Sequence, residues 1–425
     1  MQKFIFLLLL IVPLFVFGQK KEEKKAKLLT YKFSGFVKND IFFDSRQTVA
    51  AREGHFLLYP KSESLDPVGE DINAQPNFNM LSIQTRLRLL VTGPDVLGAK
   101  TSAFVEGAFF GSISTDANEF RLRHAFVKLA WTNTQLLIGQ YWHPLFITHV
   151  FPGTVSFNTG APFTPFSRNP QIRLTKHFGD ASLVFTALTQ RDFVSSGPIG
   201  SSSSYLRNSA MPAFNLRFDY VNINKVNKTE FVIGASANYK SLLPELSTNL
   251  GYVNNEENNS LSFAAYAKYQ IASFGIKFYG FYGQDAYNLT MLGGYAQHKM
   301  IDATTGAIEF TPIKTSSLWS ELYYMNSNWQ LGIFAGYSKN LGAVDEVLAN
   351  TFYSRGSNID YLFRVSPRLI INYGKFRIAP EIEYTATAYA TNDNSGNMNR
   401  DKYGVITDSK LVGNLRILLG VYYFF

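Results

Sequence analysis

Much of the chain alternates hydrophobic and polar residues with a period of two. In residues 79–93, for example, Leu87 and Leu89 alternate with Arg86 and Arg88. A period of two predicts β-strands that turn one face toward an apolar medium and the other toward water. The pattern predicts sixteen strands, at residues 31–43, 79–93, 98–112, 118–131, 134–142, 170–178, 181–192, 210–221, 228–241, 258–271, 273–285, 314–326, 328–339, 357–373, 374–390 and 407–425.

The connections between the predicted strands largely alternate between short and long. Short turns follow Trp131 and occupy Gly179–Asp180 and residues 326–328. Tight turns at one end and long loops at the other are typical of outer-membrane barrels, in which an even strand number puts both termini at the turn end. The long loops are predicted at residues 44–78, 143–169, 193–209, 242–257, 286–313, 340–356 and 391–406.

Composition supports a barrel in a membrane. The 425 residues are 15% aromatic and only 17% charged. No segment after the N-terminal run is long and apolar enough for a transmembrane helix. The absence of cysteine excludes disulfides, thiolate metal sites and a lipid-anchored N-terminal Cys. We therefore predict an all-β fold: a transmembrane antiparallel β-barrel of about 16 strands with a water-filled lumen.

The N-terminal residues have the features of a secretory signal peptide. Lys3 precedes an apolar run, and the small residues Val16 and Gly18 are suited to cleavage before Gln19. An uncleaved membrane anchor is the alternative, for which the run is short. An exported barrel indicates the outer membrane of a diderm bacterium. The predicted domains are the signal peptide (1–18), a charged periplasmic stub (19–30) and the barrel (31–425).

The chain ends in the aromatic run "NLRILLGVYYFF". Val421, Tyr423 and Phe425 share one face, which is almost wholly apolar along residues 411–425. We predict that this face meets outer-membrane lipid. A terminal Phe after apolar residues at every second position also resembles the signal by which outer-membrane proteins are handed to the barrel assembly machinery.

One long loop differs from the others in composition. Residues 143–169 contain five Phe and four Pro and little charge, which is too apolar for a solvated loop. We predict that this loop folds into the lumen as a constriction loop. The alternative is an external loop that packs on a neighbouring subunit.

By alternation, basic residues outnumber acidic residues on the inward face. The sign of the lining charge sets passive selectivity, and the Arg guanidinium suits carboxylate and phosphate. The formal net charge of +8 agrees with an anion-preferring channel, since an exported chain rarely meets nucleic acid. Alternatively, an individual lining charge pairs with an acidic residue of a loop and does not contribute to ion selectivity. The predicted pore-lining and constriction residues are Arg86, Arg88, Glu106, Lys128, Arg168, Arg173, Arg217, Arg364, Arg368, Arg377, Glu381 and Glu383.

We predict no catalytic, cofactor or metal site. Glu381 and Glu383 lie two apart on one predicted strand and could resemble a catalytic carboxylate pair, but salt bridges with Arg377 or Arg364 explain them better. The six histidines lack metal-ligand spacing with acids, and no Ser–His pair for a hydrolase is found.

Several segments resemble the DcaP-like outer-membrane porins. That resemblance implies a sixteen-stranded homotrimeric porin whose basic channel passes small anions, dicarboxylates among them. It also implies an inward-folded loop at residues 143–169. The segments are "SGFVKNDIFFD" (34–44), "QTRLRLLVTGPDVLGAKTSAFVEGAFFG" (84–111), "RLRHAFVKLAWTNTQLLIGQYWHPLF" (121–146), "SRNPQIRLT" (167–175) and "RVSPRLIINYGKF" (364–376).

The expected function is passive, anion-preferring diffusion of small hydrophilic solutes. Two alternatives stay open. A general or sugar porin would use Tyr266, Tyr279 and Tyr389 as a stacking track. A structural barrel in an outer-membrane assembly would have its lumen closed by the loops.

Overall fold

The computed structural model describes residues 29–111 and 113–425, so the predicted signal peptide and most of the predicted stub lie outside the described residues. The strands, in chain order, are β1 (Thr30–Asp44), β2 (Thr48–Ala51), β3 (Phe56–Pro60), β4 (Asn77–Leu81), β5 (Arg86–Thr92), β6 (Lys100–Ala108), β7 (Arg121–Ala130), β8 (Thr134–Trp142), β9 (Arg168–Phe178), β10 (Ala181–Leu188), β11 (Ala213–Asn224), β12 (Thr229–Leu242), β13 (Asn258–Ile271), β14 (Phe274–Gln284), β15 (Gly293–Asp302), β16 (Ala307–Met325), β17 (Trp329–Ala343), β18 (Phe352–Arg355), β19 (Ile359–Tyr373), β20 (Phe376–Ala390) and β21 (Ser409–Phe424).

The described helices are short and lie in the long loops. No described helix is long and apolar enough to cross a membrane. They are an α-helix at Ser204–Asn208 and 3₁₀ turns at Ile72–Ala74, Ser114–Asp116 and Tyr287–Leu289.

Sixteen antiparallel strands close into a barrel, which confirms the predicted fold class and strand number. The seam that closes it joins β1 to β21, from Phe36↔Phe424 to Asp44↔Arg416. β1 also pairs with both β4 and β5, which together fill one position of the wall. β2 and β3 form a separate hairpin, whereas β15 and β18 extend the sheet beyond the wall at the loop end. Closure pairs the backbone of every wall strand on both sides, as hydrocarbon requires.

The predicted strand at residues 79–93 is interrupted in the structure. The N–H of Thr85 donates to the carbonyl of Ser82 at 3.2 Å, which turns the chain between β4 and β5. Ile83, which the alternation placed on the lipid side, is therefore buried at 2% exposure in the interior cluster. The alternation holds on β11, for example, where Leu216 is 51% exposed on the outside and Arg217 is 8% exposed on the inside.

Two segments from the loop end pack inside the barrel. The connection between β8 and β9, residues 143–167, will be called the inner loop. The hairpin of β2 and β3, residues 48–60, will be called the inner hairpin. The main hydrophobic cluster includes Phe157, Phe163 and Phe166 of the inner loop together with Phe56 and Leu58 of the inner hairpin. The two segments therefore pack on each other as well as on the wall.

Candidate functional site

Wall carboxylates hold the middle of the inner loop. The carboxylate of Glu381 accepts hydrogen bonds from the backbone N–H groups of Val155 and Ser156 at 2.7 and 2.9 Å. Glu321 accepts one from the N–H of Gly153 at 2.8 Å. A third carboxylate, Glu383, accepts one from the Asn158 side chain at 2.8 Å. These acids therefore satisfy loop donors that would otherwise be buried without partners.

Wall cations hold the carbonyl groups of the same loop. Lys38 donates to the carbonyl of Val155 at 2.8 Å and Lys277 donates to that of Phe151 at 2.9 Å. Arg217 donates to the carbonyl of Pro144 at 3.1 Å. Because these contacts come from β1, β14 and β11, the loop reaches well-separated parts of the wall.

Arg364 holds the inner loop and the inner hairpin together. Its Nη1 donates to the carbonyl of Ala161 in the loop, and its Nη2 donates to that of Leu58 in the hairpin, both at 2.7 Å. The side chain is fully buried and also forms an ion pair with Glu383 at 3.4 Å. Arg364 is therefore covered by the two segments that it binds.

Several of the predicted lining charges are likewise engaged in buried pairs. Arg168 pairs with Asp192 at 2.8 Å, Arg217 pairs with Asp219 at 2.9 Å, and Arg368 pairs with Glu321. Arg88 and Arg123 share Glu106, each at 2.5 Å. The structure thus brings Arg168, Arg217, Arg364, Arg368, Glu381 and Glu383 to the interior, where they support loops or one another.

Four of the predicted lining cations have no carboxylate oxygen of a described residue within 4.0 Å: Arg86, Lys128, Arg173 and Arg377. The other contacts of the arginines are neutral. Arg173 donates to the carbonyl of Trp142 at 2.7 Å, and Arg377 donates to the side chain of Asn372 at 2.8 Å. Among the described wall acids that bind the inner loop, Glu381 has no cation within 4.0 Å. Its carboxylate is covered by the loop and does not face the cavities. The balance of uncompensated charge is therefore positive.

The four unpaired cations line two cavities beside the inner loop, toward the turn end. The seam cavity, of about 440 Å³, contains Arg86 and Arg377. The polar cavity, of about 320 Å³, contains Lys128 and Arg173. Thr148 of the inner loop lines both. Each cavity therefore presents two cations that carboxylates do not neutralise.

Some residues of the site did not stand out in the sequence. A register shift between β6 and β7 lets the neighbours Arg123 and His124 both be buried, which strict alternation does not predict. Tyr422 and Phe424 line the seam cavity, although no role was predicted for the second face of the last strand. Their position on the second face of the alternating strand was the available signal.

The outward residues of the last strand lie as the alternation predicts. Tyr423 is 53% exposed and Phe425 is 47% exposed on the outer surface. The N–H of Phe425 donates to the carbonyl of Gly35 at 3.2 Å, so the chain end completes the seam. The role of Val421, Tyr423 and Phe425 as an assembly signal stays a prediction.

Loops cover the aromatic residues of the suggested stacking track. The hydroxyl of Tyr279 donates to the carbonyl of Leu145 at 2.9 Å, and that of Tyr389 donates to the carbonyl of Pro60 at 2.6 Å. Tyr266 is 3% exposed and donates to Asp219 at 2.5 Å. These three rings are not available for a sugar to stack on while the inner loop and hairpin are docked.

Three histidines lie in the interior segments and are neutral at pH 7. Burial lowers the pKa of His55 in the inner hairpin to about 3. Burial likewise lowers the pKa of His143 in the inner loop to about 3 and that of His149 below its usual range. The docked segments therefore add no histidine charge to the lumen near neutral pH.

Solved structures share this barrel. The chain is similar to the outer membrane channel DcaP of Acinetobacter baumannii, with a TM-score of 0.65, 15% identity, and coverage of 93% of this chain and 97% of that one. It is similar to an anion-selective porin from Comamonas acidovorans, with a TM-score of 0.53, 10% identity, and coverage of 94% and 100%. OmpT of Vibrio cholerae gives a TM-score of 0.52 at 10% identity, with coverage of 95% and 100%.

The resemblance to DcaP that the sequence predicted is confirmed at the level of the fold. No protein-family model matches the chain, and no curated protein matches its sequence.

Proposed function

We propose that this protein is a porin of the outer membrane of a diderm bacterium, through which small hydrophilic solutes diffuse passively and anions are preferred. The observation that carries the proposal is the uncompensated positive charge of Arg86, Lys128, Arg173 and Arg377 in the two cavities. A fixed positive lining raises the local concentration of anions and lowers that of cations. Small organic anions, dicarboxylates among them, are the proposed solutes.

The inner loop sets the width of the path in this proposal. It contacts β1, β11, β14 and β20, so a solute passes between the loop and the remaining wall. We assign the role of constriction to the loop and that of selectivity to the four unpaired cations. The proposed protein is a homotrimer that contacts outer-membrane lipid and is inserted by the barrel assembly machinery. It has no catalytic role.

A planar-bilayer measurement in a salt gradient tests the proposal. Purified protein should show a reversal potential on the anion side, with conductance steps in threes for a trimer. The double variants Arg86→Gln/Arg377→Gln and Lys128→Gln/Arg173→Gln should each lower the anion-to-cation permeability ratio, and the quadruple variant should lower it furthest. A reversal potential at zero or on the cation side would contradict the charge argument.

A closed structural barrel is the second candidate, because the interior is occupied at the loop end. All five residues of β3 are buried, and the hairpin packs on the inner loop. A protein that inserts into the bilayer and passes no current would favour this candidate over the porin.

A further inference from the structure

The seam cavity combines unpaired guanidinium groups with aromatic rings. Its volume of about 440 Å³ lies in the range of small-molecule sites. Arg86 and Arg377 supply the charge. Phe36, Tyr422 and Phe424 supply rings on one side and will be called the aromatic platform. Such a lining suits a ligand with both an anionic group and a flat apolar part.

Strand register places the two guanidiniums on opposite sides of the platform. Phe36 pairs with Arg86 on β5 and with Phe424 on β21. Tyr422, the next inward residue of β21, pairs with Arg377 on β20. The order β5–β1–β21–β20 thus runs from cation to rings to cation across the seam.

The three rings lie next to one another, with Phe36 tilted by 57° from Tyr422 and by 60° from Phe424. The planes of Tyr422 and Phe424 are 5° apart, with centroids 5.7 Å apart, and Phe36 lies 5.7 Å from Phe424. Arg86 lies 5.3 Å from the centroid of Phe36, and Arg377 lies 5.0 Å from that of Phe424. The Nε atom of Arg86 is buried and has no hydrogen-bond partner among the described residues. The Nη atoms of Arg86 are not buried in this way, so they are the atoms that an anion in the cavity can meet.

The polar cavity differs in size and in the number of its rings. Lys128 and Arg173 share a space of about 320 Å³ with only two such rings, Phe126 and Tyr141, beside polar groups such as Thr175 and Ser182. Seven Phe, Tyr and Trp residues line the larger seam cavity. The seam cavity is therefore the better suited of the two to a ligand with an aromatic ring.

We propose that the seam cavity is a binding site for aromatic carboxylates, in which the ring of the solute stacks on the aromatic platform and its carboxylate meets Arg86 or Arg377. This proposal rests on the proposed function, because it names a solute class for the same lumen. Both benzoate and acetate offer a carboxylate to a guanidinium, but only benzoate has a ring that stacks on the platform and leaves water. Benzoate should therefore bind roughly tenfold more tightly than acetate, which carries the same charge.

Binding to the purified full-length protein in detergent tests the site, with benzoate, acetate and benzyl alcohol as probes. Isothermal titration measures affinity whether or not the channel conducts. Arg86→Gln/Arg377→Gln should remove the preference for benzoate over benzyl alcohol, whereas the charge-matched control Lys128→Gln/Arg173→Gln should keep it. Phe424→Leu should weaken benzoate and leave acetate unchanged. Retention of the heat-modifiable band on gels identifies variants with a folded barrel.

The outcomes separate this site from the porin proposal. Equal binding of benzoate and acetate would overturn the role of the rings, and equal binding of benzoate and benzyl alcohol would overturn the role of the guanidiniums. If either occurs while the reversal potential stays on the anion side, the site is wrong and the porin stands. Preferential benzoate binding without anion selectivity would support the site and refute the proposed anion preference of the channel.

Discussion

Glu381 is the wall residue on which docking of the inner loop most directly depends. Its buried carboxylate accepts the N–H groups of Val155 and Ser156 at 2.7 and 2.9 Å. A hydrogen bond to a charged group contributes about 1.5–3 kcal/mol. Glu381→Gln keeps one acceptor oxygen but turns an NH₂ group toward the second N–H. We therefore expect docking to weaken by about 2–4 kcal/mol, because one charged bond is lost and one buried donor is left unpaired.

The measurement is single-channel current in planar bilayers. A loss of about 2–4 kcal/mol increases the population with a detached loop by roughly 30- to 1000-fold. Glu381→Gln should therefore show frequent transitions to a higher conductance level. Glu230→Gln is the control, because Glu230 is a wall acid that pairs with Lys268 at 2.6 Å and accepts no described hydrogen bond from the loop.

The variant and its control make the same Glu→Gln exchange on the wall, so they separate loop docking from the general effect of that exchange. If Glu381→Gln has the same current levels and transition frequency as Glu230→Gln, the carboxylate does not hold the loop. The account of how wall acids fix the constriction would then be refuted.

Three further predictions concern the interior segments. Arg364→Met should loosen both segments and speed proteolysis within residues 48–60 by an externally added protease. An unchanged cleavage rate would contradict the role of Arg364 in holding the inner loop and the inner hairpin together. Gly336→Ala should displace Phe163, whose ring lies 2.6 Å from the position of the added Cβ, and raise the conductance. Gly280→Ala, with its nearest atom at 3.9 Å, should not. The pKa of His55 is lowered to about 3 in the docked hairpin, so protonation of this histidine favours the undocked state. Docking of the hairpin should therefore be fully stable above about pH 6.5 and weaken as the pH falls toward 3. The free energy of docking should fall by about 2 kcal/mol at pH 5. His55→Asn should reduce the resulting rise in conductance between pH 7 and pH 5, and an identical rise in that variant would exclude His55 as the cause.

Alternation in the sequence predicted the wall well, because a lipid-facing side and a watery side impose a period of two on each strand. It placed Arg86 and Arg88 on the same inward face. It could not show that Glu106 neutralises Arg88 and leaves Arg86 unpaired, because that difference depends on the positions of neighbouring strands. The two arginines occupy equivalent positions in the alternation, but only Arg88 has a carboxylate partner.

The inner hairpin was harder to predict than the inner loop. Both are apolar, but β3 is a run of only five residues, "FLLYP", within a long and otherwise polar connection. All five are buried because they pack between the wall and the inner loop. A short apolar run without alternation is compatible with a strand that is buried on both faces. That run was the only signal in the sequence for the inner hairpin.

The position of the seam has a consequence for biogenesis. Phe36 and Phe424 belong to the first and last strands, so their contact requires closure of a loop that contains nearly the whole chain. Such high contact order makes closure a slow step in folding, and two strand edges stay open to aggregation until it is complete. The aromatic platform is built from both edges and is absent from every intermediate with an open seam. A fluorescent aromatic carboxylate would therefore report the moment at which the last strand meets the first.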